Sequence, residues 1–163
     1  MRWFPIDAPI KGRLMIVSRP ESGDGLRNDL ADLKQSGVDL LVSLLEPAEQ
    51  SELGLEREAQ FCISAGLEFR SFPIADRGIP EPSFARFAQE CANEIVAGRA
   101  MAIHCRAGIG RSGLAAAAIL ICAGIDAALA VDAISRARGL VIPDTEGQSR
   151  WIAAFRAGVS CVG

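Results

Sequence analysis

One stretch of this sequence concentrates residues able to do chemistry: His104-Cys105-Arg106-Ala107-Gly108-Ile109-Gly110-Arg111-Ser112. A cysteine thiol of ordinary pKa about 8.5 is shifted to ~3.5–7.5 by a helix N-terminus or a neighbouring cation. Cys105 has both influences, because Arg111 opens the helix predicted to follow. Gly108 and Gly110 permit positive φ, so successive backbone N–H groups can turn toward one anion. The planar fork of Arg111 can hold two oxygens of that anion, which lysine cannot copy. The combination suits a phosphate dianion held over a thiolate. Cys105 would attack phosphorus, Arg106, Ala107, Gly108, Ile109 and Gly110 would wrap the phosphoryl oxygens, and Ser112 would donate to the departing thiolate.

Expulsion of an alkoxide or phenoxide needs a proton donor. The chain has a single histidine, His104. Adjacent strand residues point to opposite faces, so His104 is a poor partner for Cys105 and is expected to anchor the loop from below by hydrogen bonding. A thiol-protease arrangement is excluded for the same reason. The best candidate acid is Asp76 in Asp76-Arg77-Gly78-Ile79-Pro80, with Gly78 giving that loop freedom to close. Arg77 and Arg106 are candidates for the pocket mouth.

These residues need elements to hold them. Apolar runs at Leu14–Val17, Leu40–Leu45, Leu67–Phe72 and Ala100–Ile103 read as strands. Leu26, Leu30 and Leu33 recur at helical spacing, as do Phe84, Phe87, Cys91 and Ile95, with Ser83 as a candidate N-cap. Further helices are predicted over Leu55–Ala65, Gly113–Ala123, Ala127–Ala137 and Gln148–Ala157, the last ended by Gly158, with a polar loop before Leu55. Strands alternating with helices predict an α/β fold. A mostly parallel central sheet is flanked by helices on both faces, and the C-terminal third is helical. With no linker or repeat, residues 1–163 are expected to form a single domain.

Composition narrows the field. Seventeen Lys+Arg against 20 Asp+Glu give a net charge of −3, which argues against non-specific binding of nucleic acid or anionic membrane. The N-terminal residues lack a signal-peptide core, and the apolar run Leu114–Ile125 is too short to span a bilayer, so the expected location is cytoplasmic. Five scattered cysteines fit neither a disulfide framework nor a zinc spacing. Cys62, Cys91, Cys122 and Cys161 read as core or surface thiols, one of which could resolve an oxidised Cys105.

The nine-residue stretch from His104 to Ser112 resembles the His-Cys-X5-Arg-Ser signature of cysteine-dependent protein tyrosine phosphatases. Asp76-Arg77-Gly78-Ile79-Pro80 is similar to that family's acid loop, and Pro73-Ile74-Ala75-Asp76 to its dual-specificity branch, which includes the kinase-associated phosphatases. Asp144-Thr145-Glu146-Gly147-Gln148 resembles the loop that positions the hydrolytic water, with Asp144 standing where the family has glutamine. Phe72 precedes Pro73 where tryptophan is usual. The resemblance spans Leu40 to Phe155 and implies a dual-specificity protein phosphatase with a phosphoprotein or phosphopeptide substrate. Cys105, Arg111, Asp76, Ser112 and Gln148 would be its catalytic residues. No metal or organic cofactor is implied, since Arg111 and the loop amides supply the positive charge. The absence of tyrosine fits a shallow pocket open to phosphoserine and phosphothreonine. Two other readings stay open: a phosphoinositide or inositol phosphate phosphatase, disfavoured by uncharged Ala107 and Ile109, and a non-catalytic phospho-residue binding module.

Overall fold

The computed structural model describes residues 1–159, with side chains through Phe155; Cys161 lies outside the described residues. A five-stranded sheet has the order β1-β2-β5-β3-β4, formed by Trp3–Ile6, Arg13–Val17, Leu40–Ser43, Glu68–Ser71 and Ala100–His104 as β1 to β5. Strands β2 to β5 run parallel, and β1 pairs antiparallel to β2. Both faces of a parallel sheet must be covered, which is why β2, β3 and β5 are almost continuously apolar. Seven helices supply the cover: Asp24–Gln35, Pro47–Leu53, Glu58–Ala65, Phe84–Ala97, Gly110–Cys122, Ala127–Arg138 and Glu146–Val159, α1 to α7.

The pleat divides the core in two. Leu14, Ile16, Val42, Met101, Ile103 and Cys105 face α4 to α7. Met15, Val17, Leu41 and Ala102 face Leu26, Leu30 and Leu33 of α1 and Cys62 of α3. The alanine run of α5 is buried throughout, because small side chains let this helix lie between the sheet and its helical neighbours.

Residues 3–6, for which the sequence raised no expectation, form an edge strand; Pro5, which lacks a ladder donor, is tolerated there. Three sequence expectations are corrected. The stretch before Leu55 is not merely loop. Pro47 at the first turn and a reciprocal capping box between Glu46 and Glu49 start helix α2. Ser83 stands at the start of α4, but its side chain makes no capping bond. Helix α7 begins at Glu146 and runs through Gly158 rather than ending there.

Candidate active site

Central strand β5 ends at His104, and the chain turns through residues 105–109 into α5. Adjacent side chains there do part company. Cys105 belongs to the core on the α5 side, while His104, fully buried, points to the α3 side with Nε2 2.9 Å from Glu58 Oε1. That contact falls outside good hydrogen-bond geometry. His104 is thus lodged against helix α3 rather than bonded to the loop itself.

Gly108 organises the loop. With φ of 67° it adopts a conformation that L side chains rarely take, and an added Cβ would lie 3.0 Å from the Val17 carbonyl oxygen. Its N–H donates to Cys105 Sγ at 3.2 Å, while its carbonyl accepts from Arg138 Nε at 2.7 Å. The two peptide units that flank Gly108 are thus each fixed, one by Cys105 and the other by Arg138. Gly110 does not use positive φ; it is needed for space. A Cβ there would collide with the Asp144 carboxylate and lie 3.0 Å from Gln148 Oε1.

Arg111 is buried, and its partners fix the orientation of its fork. Glu49 of α2 takes a bidentate pair, NH1 to Oε2 at 2.6 Å and NH2 to Oε1 at 2.8 Å. NH1 also donates to the Ile74 carbonyl at 2.9 Å, and NH2 lies 3.2 Å from Asp76 Oδ1. Burial opposes the charge on Arg111, but Glu49, Cys105 and Asp76 outweigh it and raise its pKa above the ordinary value. The hydrogen bond from Arg111 correspondingly lowers the pKa of Glu49.

Asp76 follows edge strand β4 yet reaches the centre of the sheet. Beyond β4 the chain keeps pairing along the extension of β3, Phe72 N–H to the Ser43 carbonyl at 3.0 Å and Ile74 N–H to the Leu44 carbonyl at 3.1 Å. This carries residues 74–78 across the end of β3 to Arg111. A turn closed by Gly78 N–H to the Ala75 carbonyl at 2.8 Å places Arg77 at φ of 57°. Gly78 therefore closes a turn instead of acting as a loose hinge. Its carbonyl is also held, accepting from Gln148 Nε2 at 3.0 Å.

Asp76, Arg77, Cys105, Arg111, Asp144 and Gln148 surround a cavity of about 40 Å³, with Ala107, Ile109 and Gly110 on its wall. Gln148 is fully buried and its Oε1 has no partner. Ser112 Oγ is likewise buried without a partner: the expected bond to the thiol is not made, and the Gly108 N–H takes that place. The Arg106 side chain, expected at the substrate, pairs instead with Glu52 at 2.6 and 2.9 Å on the exposed surface.

The remaining described cysteines lie outside this cavity. Burial pushes the thiols of Cys62 and Cys91 up to about 12 and about 11, and raises that of Cys122. Glu49 and Arg138 were missed in the sequence. The Glu46-Pro47-Ala48-Glu49 spacing, Pro at the first turn and Glu at its third position, was the available signal for the first; nothing local marked the second.

The cavity couples a thiol to a fixed guanidinium, a carboxylate and a buried amide, the groups required to receive, transfer and hydrate a phosphoryl unit. Residues 16–125 match the family described as polymorphic toxin system, DSP-PTPase phosphatase. No curated protein matches the sequence. Among solved structures, a kinase associated phosphatase carrying serine for its catalytic-site cysteine is similar over 100% of this chain and 98% of its own, with 21% identity and a TM-score of 0.86. A protein tyrosine phosphatase from Leishmania major is 22% identical, covering 93% of this chain and 97% of its own, with a TM-score of 0.74. PTPMT1 in complex with PI(5)P is 19% identical, covering 90% and 92%, with a TM-score of 0.70. The chain belongs to the DSP-PTPase phosphatases of polymorphic toxin systems, in the dual-specificity branch of the cysteine-dependent protein tyrosine phosphatases, and is a phosphoric monoester hydrolase.

Proposed function

We propose that this enzyme dephosphorylates protein side chains, phosphotyrosine as well as phosphoserine and phosphothreonine, by two successive transfers at Cys105. The observation that carries the reading is the placing of Cys105, Arg111 and Asp76 around one cavity of about 40 Å³. That space is on the scale of one or two water molecules, so it takes the phosphoryl group and leaves its carrier outside. A site that grips the phosphoryl group alone tolerates different carriers.

Donor accounting supports a definite approach. Both N–H groups of Arg111 NH1 are occupied, by Glu49 and Ile74, and one of NH2 by Glu49. The edge left for an anion consists of Nε and the remaining NH2 hydrogen, the latter beside Asp76. A phosphoryl group binding that edge takes the place of the Asp76 carboxylate and leaves it adjacent to the ester oxygen. The Cys105 thiolate then attacks phosphorus, the P–O bond breaks, and Asp76 in its acid form protonates the leaving oxygen. In the second step water attacks the cysteinyl-phosphate, its proton passes to the Asp76 carboxylate, and the P–S bond breaks to release phosphate and the thiolate. The unpaired Oε1 of Gln148 supports Gln148 as the group that orients this water, with Asp144 beside it.

Substitution Cys105→Ser is expected to abolish hydrolysis of an aryl phosphate while retaining phosphopeptide binding, and a rapid acid quench of the parent enzyme should trap phosphate on Cys105. Turnover by Cys105→Ser at the parental rate would refute the mechanism. The PI(5)P bound to PTPMT1 raises the lipid reading, but uncharged Ala107 and Ile109 favour a monoester over a polyanionic headgroup.

A further inference from the structure

Beside the catalytic cavity, and sharing Ala107 and Ile109 with it, lies an open groove of about 660 Å³. Four arginines line it, Arg106 of the nucleophile loop and, from other parts of the chain, Arg2, Arg19 and Arg138. Arg138 lies over the Phe4 ring at 3.7 Å from its centroid, and Arg2 is 6.0 Å from the same ring. Arg2 is mounted firmly, its N–H donating to Ser18 Oγ and its carbonyl accepting from Ser18 N–H, both at 2.9 Å. Its backbone is thus fixed beside Ser18, the residue before Arg19.

The charges on this wall are poorly compensated. Arg106, which also lines the groove, has Glu52. Among the described residues, by contrast, Arg138 donates to the Gly108 carbonyl and Arg19 to the Pro20 carbonyl at 3.4 Å, and none of Arg2, Arg19 and Arg138 forms an ion pair with a carboxylate. Glu21 is the acidic residue on the lining. Burial and the nearby charge of Arg2 lower the pKa of Arg138, and the opposing influence of Cys105 does not cancel them. In a chain of net charge −3 this is a local concentration of opposite sign.

We propose that the Arg2–Arg19–Arg138 groove is a subsite for a second anionic group on the substrate chain, a carboxylate or second phosphate flanking the phosphorylated residue, so that acidic phosphopeptides are the preferred substrates. The inference rests on the phosphoprotein reading above. A peptide is favoured over a lipid headgroup because the site is a groove with Phe4 and Leu140 among its arginines. Such a lining suits an extended chain of mixed acidic and apolar residues.

The test compares kcat/KM for a phosphopeptide flanked by glutamates, the same peptide with glutamines, one bearing a second phosphoresidue, phosphoinositide vesicles, and p-nitrophenyl phosphate. The parent enzyme should favour the glutamate peptide over the glutamine peptide by about tenfold, mainly through KM, as expected for a few partly exposed charge contacts. The doubly phosphorylated peptide should do at least as well, and added salt should shrink both preferences. In Arg2→Gln/Arg19→Gln the ratio should fall to about twofold; Arg19→Gln alone serves if the pair unsettles β1. No preference in the parent, or one that survives these substitutions, overturns the subsite. Turnover of the vesicles but of neither peptide overturns it too, by making the occupant a headgroup. If even p-nitrophenyl phosphate is inert, the failure lies with the Cys105 mechanism, and the subsite falls with it.

Discussion

Glu49 offers a demanding test of how the site is built, because it touches no substrate and acts entirely through Arg111. Its carboxylate receives two short bonds from the guanidinium and one from Glu46 N–H at 3.0 Å, and the Arg111 and Glu49 side chains are only 2% and 11% exposed. Removing one partner of a buried ion pair strands the other, at a cost of roughly 3–5 kcal/mol. Glu49→Ala should therefore lower stability by about that amount, or Tm by roughly 6–20 °C for a domain of this size. Glu49→Gln keeps one acceptor and should lose roughly 1.5–3 kcal/mol; it carries the test if the alanine variant does not fold. The pKa of Glu49 is lowered in the folded state, so its contribution is present above the ordinary value of 4.5 and is lost as pH falls through the folded value. The stability gap between parent and Glu49→Gln should hold near neutral pH and close in acid. Catalysis adds a second readout. A fork free to turn presents the wrong edge to the phosphoryl group, and misplacement by about 1 Å can cost on the order of 100-fold. Urea unfolding across pH and steady-state kinetics with an aryl phosphate measure both. Parental kcat/KM in a Glu49→Gln enzyme that unfolds like the parent would refute the positioning role.

Two further substitutions separate the chemical steps. Asp76→Asn should reduce kcat/KM by roughly 10²–10⁴ for alkyl phosphates and progressively less as the leaving group improves; a series of aryl and alkyl esters measures the slope, and a uniform loss would remove Asp76 as the acid. Gln148→Ala should slow hydrolysis of the cysteinyl-phosphate by about 10–100-fold, so rapid-mixing experiments with p-nitrophenyl phosphate should reveal a burst of nitrophenol. An unchanged rate with no burst would assign the water to Asp144.

The nucleophile loop was legible in the sequence because everything it needs is local: a strand, two glycines and a helix start bracket Cys105 and Arg111 within one continuous segment. The parallel strands were legible as apolar runs, and most helix ends as glycines. What could not be read was non-local. Glu49 lies 62 residues from Arg111 and Arg138 lies 30 from Gly108, and no periodicity reports such pairings. Strand β1 escaped because a four-residue edge strand containing Pro5 has little period to detect. The turn of the Arg106 side chain toward Glu52 was likewise not legible, because adjacency to the nucleophile does not decide which way a long side chain points.

The acid loop shows how topology and chemistry meet in this fold. An edge strand cannot deliver a proton donor to the central strand unless the chain crosses the strand between them, and here it does so as an extension of the sheet, bonded at Phe72 and Ile74 to Ser43 and Leu44 at the end of β3. The crossing segment is then fastened by the site's own residues, at Ile74 by Arg111 and at Gly78 by Gln148. Opening the loop would break both bonds and leave buried donors unmet, which costs more than exchanging them with water at an exposed site. Asp76, at 65% side-chain exposure and ion-paired to Arg111, is the exposed part of this tethered strap. In the mechanism proposed above, phosphoryl binding displaces one carboxylate, and the Asp76→Asn leaving-group slope should report the chemical step rather than a loop motion.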